Sequence, residues 1–149
     1  MTFSATQKPT RLCPQVMIAE DDPDDQLLIR DAMSLNGFSD DNLVFVSDGE
    51  ELINALENMA HVPDILLLDL NMPKIDGRQA LQVIKTGKKF KHIPVIVFST
   101  SNETEDIRLT YESGGNSYIT KPNNFDVLVA VCGTIKQYWL ETAVLSPRE

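Results

Sequence analysis

The chain has 149 residues, 42% of them hydrophobic, and a formal net charge of -9. That length suits one compact domain with a core large enough to need no disulfide staples, and the acidic balance argues against binding a phosphate backbone, with no residues left over for a separate DNA-binding module. No apolar stretch approaches the length of a membrane span, the first fifteen residues lack a signal-peptide core, and Cys13 and Cys132 lie too far apart in sequence for a metal or redox motif, so a soluble protein of the reducing cytoplasm, away from membranes, is predicted.

Residues 1–14 are polar, with three threonines, two prolines and no apolar period, which predicts a flexible arm ahead of a body over 15–141 and a tail over 142–149. Val16-Met17-Ile18-Ala19 then reads as a short buried strand, and the helix after it has Leu28, Ala32 and Leu35 on one face and ends at Gly37. Between them stands Glu20-Asp21-Asp22-Pro23-Asp24-Asp25. Asp22 suits an N-cap, Pro23 the first helical position, and Asp24 and Asp25 a first turn whose dipole favours acids. Glu20 and Asp21 have no such structural role. Leu43-Val44-Phe45-Val46 repeats the strand signal, and Asp48-Gly49-Glu50-Glu51 opens a second helix with Leu52, Leu56 and Met59 facing one way.

The third unit carries the sharpest feature. Ile65-Leu66-Leu67-Leu68 is a buried strand bounded by Pro63 and Pro73, and it closes on Asp69. Asp76 before Gly77 fills the capping role for the next helix, about 77–86 with Ala80, Val83 and Ile84 inward, so Asp69 is left without a purely structural task. Ile93 to Phe98 forms a fourth strand ending at Ser99, with Thr100 and Ser101 beyond it. A helix over about 103–113 follows, carrying Ile107 and Tyr111, and Gly114-Gly115-Asn116 breaks it. Ser117 to Thr120 is a short fifth strand ending at Lys121. The last helix starts near Asn124, with Leu128, Cys132, Ile135 and Trp139 spaced four, three and four apart.

Five strands each followed by a helix, with no hairpin signal between them, require right-handed crossovers and a parallel sheet covered on both faces, an α/β three-layer sandwich. The doubly wound strand order 2-1-3-4-5 is the common solution for such units and makes the first and third strands neighbours at the carboxyl edge, where such sheets bind ligands. Glu20, Asp21 and Asp69 then cluster. Three like charges together call for a cation, and an all-oxygen site of carboxylates suits a hard divalent ion such as Mg²⁺, to which the Asn71 backbone carbonyl can add a ligand. Taken singly, Ser99 reads as turn chemistry and Lys121 as a solvated charge. Together at neighbouring strand ends, a carboxylate nucleophile, a cation, a hydroxyl and an ammonium are what phosphoryl transfer to Asp69 requires.

These residues resemble the response-regulator receiver domain of two-component signalling, a flavodoxin/CheY-like fold, over about residues 15–140. Glu20-Asp21 match its acidic pair, Asp69 its phosphoacceptor, Ser99 its switch hydroxyl, and Lys121-Pro122 its lysine with the following, often cis, proline. The resemblance implies that Asp69 takes a phosphoryl group from a histidine kinase with Mg²⁺, that the mixed anhydride later hydrolyses, and that Ser99 turns inward with Tyr118, the aromatic switch position, following it. Ser99 stands where Thr is commoner. Asn71 and Ser101, two residues beyond the phosphoacceptor and the switch hydroxyl, offer no obvious acid or base, so unusually fast autodephosphorylation is not expected.

Val127-Leu128-Val129-Ala130-Val131-Cys132 is apolar on every side, beyond what one core face needs. Either Trp139, Leu140, Val144 and Leu145 fold back over it, or it forms a homodimer or partner interface together with the fifth strand and the tail. With the receiver fold consuming nearly the whole chain, a single-domain regulator is expected. Tyr138-Trp139-Leu140-Glu141-Thr142, with the apolar residues and Pro147 beyond, also resembles the tail of stand-alone regulators paired with bacterial phytochrome kinases. Two other functions stay open. A Mg²⁺-dependent phosphatase or phosphotransferase with an Asp nucleophile would typically want an acid where Asn71 stands and an inserted cap, and a non-phosphorylated adaptor would have no use for Glu20, Asp21, Asp69, Ser99 and Lys121 together. A dinucleotide site is excluded because Ala19-Glu20-Asp21 occupies the place of the Gly-rich turn.

Overall fold

Five short strands form the middle layer: β1 (Val16–Ala19), β2 (Leu43–Val46), β3 (Ile65–Leu68), β4 (Val95–Ser99) and β5 (Ser117–Thr120). They pair in parallel in the order β2-β1-β3-β4-β5, as expected. The computed structural model describes residues 13–147, so of the arm expected over 1–14 only Cys13 and Pro14 lie within the described residues. The helices are α1 (Pro23–Leu35), α2 (Gly49–Asn58), α3 (Gly77–Thr86), α4 (Thr104–Glu112) and α5 (Phe125–Ile135), and a π-helical segment (Lys136–Thr142) continues α5. No helix among the described residues is long and apolar enough to cross a membrane.

Side chains alternate across the sheet, and the two faces gather separate cores. Met17, Ala19, Leu66, Leu68, Val95 and Val97 meet Leu52 and Leu56 of α2 and Ala80, Leu81 and Ile84 of α3. Val16, Ile18, Ile65, Leu67, Ile96 and Phe98 meet Ile29, Ala32 and Met33 of α1 and Leu128, Cys132 and Ile135 of α5. β1, β3 and β4 are buried along their whole length, which is why they read as unbroken apolar runs. The side chains of Asp22, Asp48, Asp76 and Asn124 cap the amino ends of α1, α2, α3 and α5. α4 differs. Its Glu103 cap makes no side-chain bond, and its buried residues are Asp106 and Thr110, so polar contacts rather than a greasy stripe hold it to the body.

Several helix faces differ from expectation. On α1, Leu28 and Leu35 are exposed, at 44% and 68%, while Ile29 and Met33 flank Ala32 inward. Leu27, Leu28 and Ile29 are consecutive and apolar, so periodicity alone leaves the rotation of this helix ambiguous. On α3 Leu81 is buried and Val83 exposed, and on α4 Tyr111 is exposed. β4 begins at Val95 rather than Ile93, although Ile93 is still buried in the core. Pro94 has no amide to donate, although its carbonyl accepts the Leu66 amide at 3.0 Å, and the Val95 amide donates to the Asn116 side chain at 2.9 Å.

The four apolar residues expected either to cover α5 or to leave it open divide between the two alternatives. Trp139 and Leu140 pack against the α1–α5 core, whereas Leu145 to Pro147 run to the amino ends of β3 and β4, walling a cavity of about 260 Å³ with Met59, Pro63 and Ile93. Val144 is exposed, and so are Phe125 and Val127 on α5 and Tyr138 beyond it.

Candidate functional site

The strand ladder carries the charged residues to one edge. Ala19 pairs with Leu68 and Ser99 with Thr120, and the hydrogen bonds continue one residue further. The Asp69 amide donates to the Ala19 carbonyl at 3.0 Å, that of Lys121 to the Ser99 carbonyl at 2.8 Å, and that of Glu20 to the Val46 carbonyl at 2.9 Å. Parallel register sets these strand ends level, and the long Lys121 side chain then spans from β5 across to Glu20, 101 residues away in sequence.

Carboxylate oxygens of Glu20, Asp21 and Asp69 all lie within 4.8 Å of one another, with Glu20 and Asp69 buried and Asp21 exposed. Lys121 Nζ bonds Glu20 Oε1, lies 3.0 Å from Asp69 Oδ2, and also reaches Asp25 Oδ2 at 3.5 Å. Asp25 thus has a second role beside its place in the first turn of α1, one that helix-start chemistry had concealed. Burial pushes the Glu20 carboxyl up to about 7, against the opposing pull of its bonds from Lys121 and the Asp22 amide. Burial lowers the pKa of Lys121, but the bond to Glu20 and the charge of Asp69 outweigh it, and the net shift is upward. The ammonium therefore stays charged, and Glu20 is the member most in need of a counter-charge.

The backbone around Asp69 is held by features that sequence reasoning missed. Asp69 Oδ1 accepts the Asn71 amide at 3.0 Å, which orients the carboxylate. Gly77 donates to the Leu70 carbonyl at 2.9 Å, and a Cβ there would collide with the Asp69 carbonyl; one on Gly49 would strike that of Ile75. Both glycines are needed for close approach to the β3–α3 loop, in which Lys74 adopts a left-handed φ of 64°. The Lys121–Pro122 bond is trans, as are all peptide bonds among the described residues, unlike the cis form common in the resembled family.

Ser99 is fully buried, and its Oγ accepts the Ser101 amide at 3.4 Å. Tyr118 donates its hydroxyl to the Ser101 carbonyl at 2.6 Å, so this ring points toward the loop after β4. A second ionic pair adjoins it. Arg78 Nε and Nη2 grip the two carboxylate oxygens of Asp106 at 2.6 and 2.7 Å, and Ser101 Oγ donates to Asp106 Oδ2 at 2.6 Å. Neither Arg78 nor Asp106 stood out in the sequence.

The chain belongs to the response regulator receiver domain family, whose model matches residues 16–132. It is a response regulator of the two-component class, and within that class it is close to the phytochrome-associated single-domain regulators. Response regulator Rcp1 of Synechocystis sp. is 33% identical over 135 residues, 87% of this chain and 91% of that protein. The phosphorylated cyanobacterial phytochrome response regulator RcpA superposes with a TM-score of 0.83 at 37% identity, covering 91% of this chain and 99% of that one. RPA3017, a response regulator in red light signaling of R. palustris, gives 0.82 at 33% identity over 90% and 99% of the two chains. A structure of Rcp1 is described as its Mn(2+)-bound form. The acidic cluster has the donor set of a divalent-metal site, in keeping with the family.

The grip on Asp106 has a measurable consequence. The Arg78 guanidinium holds the Asp106 carboxyl below its usual 3.8, so the folded state binds this proton less readily than the unfolded one. Its stabilisation is complete above about 3.8 and is lost as pH falls through the folded value. Asp106→Asn should destabilise the protein by about 1–3 kcal/mol near neutrality, toward the low end because Arg78 is partly exposed. The gap to wild type in denaturant midpoint should close on acidification; a gap that widens at low pH contradicts this.

Proposed function

We infer that the chain accepts a phosphoryl group on Asp69 from a histidine kinase, with Mg²⁺ held by Glu20, Asp21, Asp69 and the Asn71 carbonyl. The observation that carries this reading is the buried Asp69 carboxylate 3.0 Å from the Lys121 ammonium beside two further carboxylates. In the reaction an Asp69 oxygen attacks phosphorus, the bond to the kinase imidazole breaks, and the imidazole leaves with its electron pair. Bound by these residues, Mg²⁺ would supply charge neutralisation for the transferring group. Lys121 and the Ser99 hydroxyl are the donors on hand for phosphoryl oxygens, with Asp69 oriented by the Asn71 amide. Water later hydrolyses the mixed anhydride, and Asn71 and Ser101 offer no side chain to speed it. Transfer and hydrolysis are the chain's own chemistry on itself rather than turnover of a diffusible substrate.

The kinase is of the phytochrome type, a reading supported by the likeness to Rcp1, RcpA and RPA3017 and by the tail around Tyr138 and Trp139. We place the protein in the cytoplasm, apart from DNA and membrane, with residues 15–141 as the receiver body, and assign self-association to β5, α5 and the tail. Support for that interface comes from Phe125, Val127 and Tyr138, which stay exposed once Trp139 and Leu140 have packed inward, and from β5 lying at the sheet edge.

Incubation with acetyl phosphate and Mg²⁺ should add one phosphoryl group by mass spectrometry to wild type and none to Asp69→Asn, while Asp21→Ala should bind Mg²⁺ more weakly in calorimetry. A labelled Asp69→Asn protein would refute the assignment. In sedimentation, Val127→Glu should weaken dimers from a folded protein, and phosphorylation should shift wild-type affinity by roughly 5–150-fold. Wild type that stays monomeric with and without phosphate would remove the interface.

A further inference from the structure

We propose that Arg78 and Asp106 form a latch that positions the loop after β4, and through it Ser99 and Tyr118, before any phosphoryl group arrives. The inference rests on the reading of Asp69 as phosphoacceptor and adds two positioning residues to it.

α4 has no side-chain cap and no large apolar residue buried, so little besides polar contacts holds its first turn. Asp106 is its buried anchor, and both its oxygens are committed: Oδ1 to Arg78 Nε, Oδ2 to Arg78 Nη2 and to Ser101 Oγ. Exposed ion pairs contribute little, but this one is bidentate, with the Asp106 side chain only 11% accessible. Ser101 is the junction. Its hydroxyl donates to Asp106 and accepts the Glu103 amide at 3.3 Å, its amide donates to Ser99 Oγ, and its carbonyl accepts the Tyr118 hydroxyl.

The other end of the chain of contacts reaches the phosphoacceptor. Arg78 follows Gly77, the residue whose amide is bonded to the Leu70 carbonyl immediately after Asp69. A path of direct bonds therefore leaves the Asp69 loop through α3, crosses to α4 and returns to the switch hydroxyl beside Asp69. Loss of the Asp106 carboxylate frees the Ser101 hydroxyl, and loss of Arg78 removes the fork that fixes Asp106, so either change loosens the geometry that holds Ser99 and draws Tyr118 inward. Where only part of the population is arranged to react, the observed rate falls with that fraction.

Two arms test this. In the first, acylphosphate formation from acetyl phosphate at saturating Mg²⁺ is timed in wild type, Arg78→Ala, Arg78→Lys, Asp106→Asn, Tyr118→Phe and Arg78→Ala/Tyr118→Phe, each confirmed folded by its melting transition. Arg78→Ala and Asp106→Asn should slow the reaction about fivefold or more, with Mg²⁺ affinity unchanged. Arg78→Lys should not rescue, because an ammonium cannot reproduce the planar fork, and the double variant should be no slower than Arg78→Ala alone. The second arm needs no phosphodonor. With ring-labelled tyrosine, the Tyr118 NMR signal should move toward its exposed position in Arg78→Ala and Asp106→Asn. Folded variants with wild-type rates, multiplicative effects of Arg78→Ala and Tyr118→Phe, or an unmoved Tyr118 signal would each overturn the latch. Wild type that takes no phosphoryl group on Asp69 would count against the functional reading, and the NMR arm would still decide the latch.

Discussion

One ammonium group holds the carboxyl edge of this sheet together. Glu20 and Asp69 are buried side by side at the ends of adjacent strands, an arrangement that like-charge repulsion and desolvation both oppose. Lys121 bonds both and also reaches Asp25, so a single positive charge compensates acids contributed by β1, β3 and α1. That compensation is incomplete, since three carboxylates still converge within 4.8 Å and burial keeps the Glu20 carboxyl raised. The surplus negative charge favours a divalent cation at this edge.

Everything else in the fold serves to place those groups. The two cores grip β1, β3 and β4 from both faces, and parallel pairing then sets the strand ends level. Gly49 and Gly77 let the loop after β3 lie against the starts of α2 and α3, close enough that a methyl group at either position would strike backbone. The less well anchored part is α4 with the loop before it, held by Arg78, Asp106 and Ser101. A charged edge gripped by two apolar cores beside an element secured by polar contacts suits a response regulator, because polar contacts can be exchanged at small cost while the cores remain intact.

Strand ends were the legible part of the sequence. Asp69 after Ile65-Leu66-Leu67-Leu68 and Lys121 after the last strand mark where apolar runs stop, and strand pairing turns such stops directly into neighbours. The capping residues Asp22, Asp48 and Asp76 were legible for a similar reason, since a cap and its amide lie within three residues. Helix rotation was less so: Leu27-Leu28-Ile29 permits two phases, and only burial in the core that also holds Phe98 and Leu128 selects Ile29. Arg78 and Asp106 are 28 residues apart on different helices, each an ordinary surface residue by local criteria. Nothing short of tertiary placement pairs them. Asp25 was hidden differently, behind a sufficient explanation as a first-turn acid.

The most direct test is the effect of Mg²⁺ on thermal unfolding of Lys121→Met beside wild type, well above the value of about 7 to which the Glu20 carboxyl is raised, since losing Lys121 raises it further. If Lys121 is the internal counter-charge, the variant melts lower than wild type in metal-free buffer, since breaking a buried pair costs up to about 3–5 kcal/mol. Mg²⁺ should then raise its midpoint more than that of wild type, because the cation takes over a compensation the ammonium had supplied. Equal midpoints without metal, together with equal Mg²⁺ shifts, would contradict it.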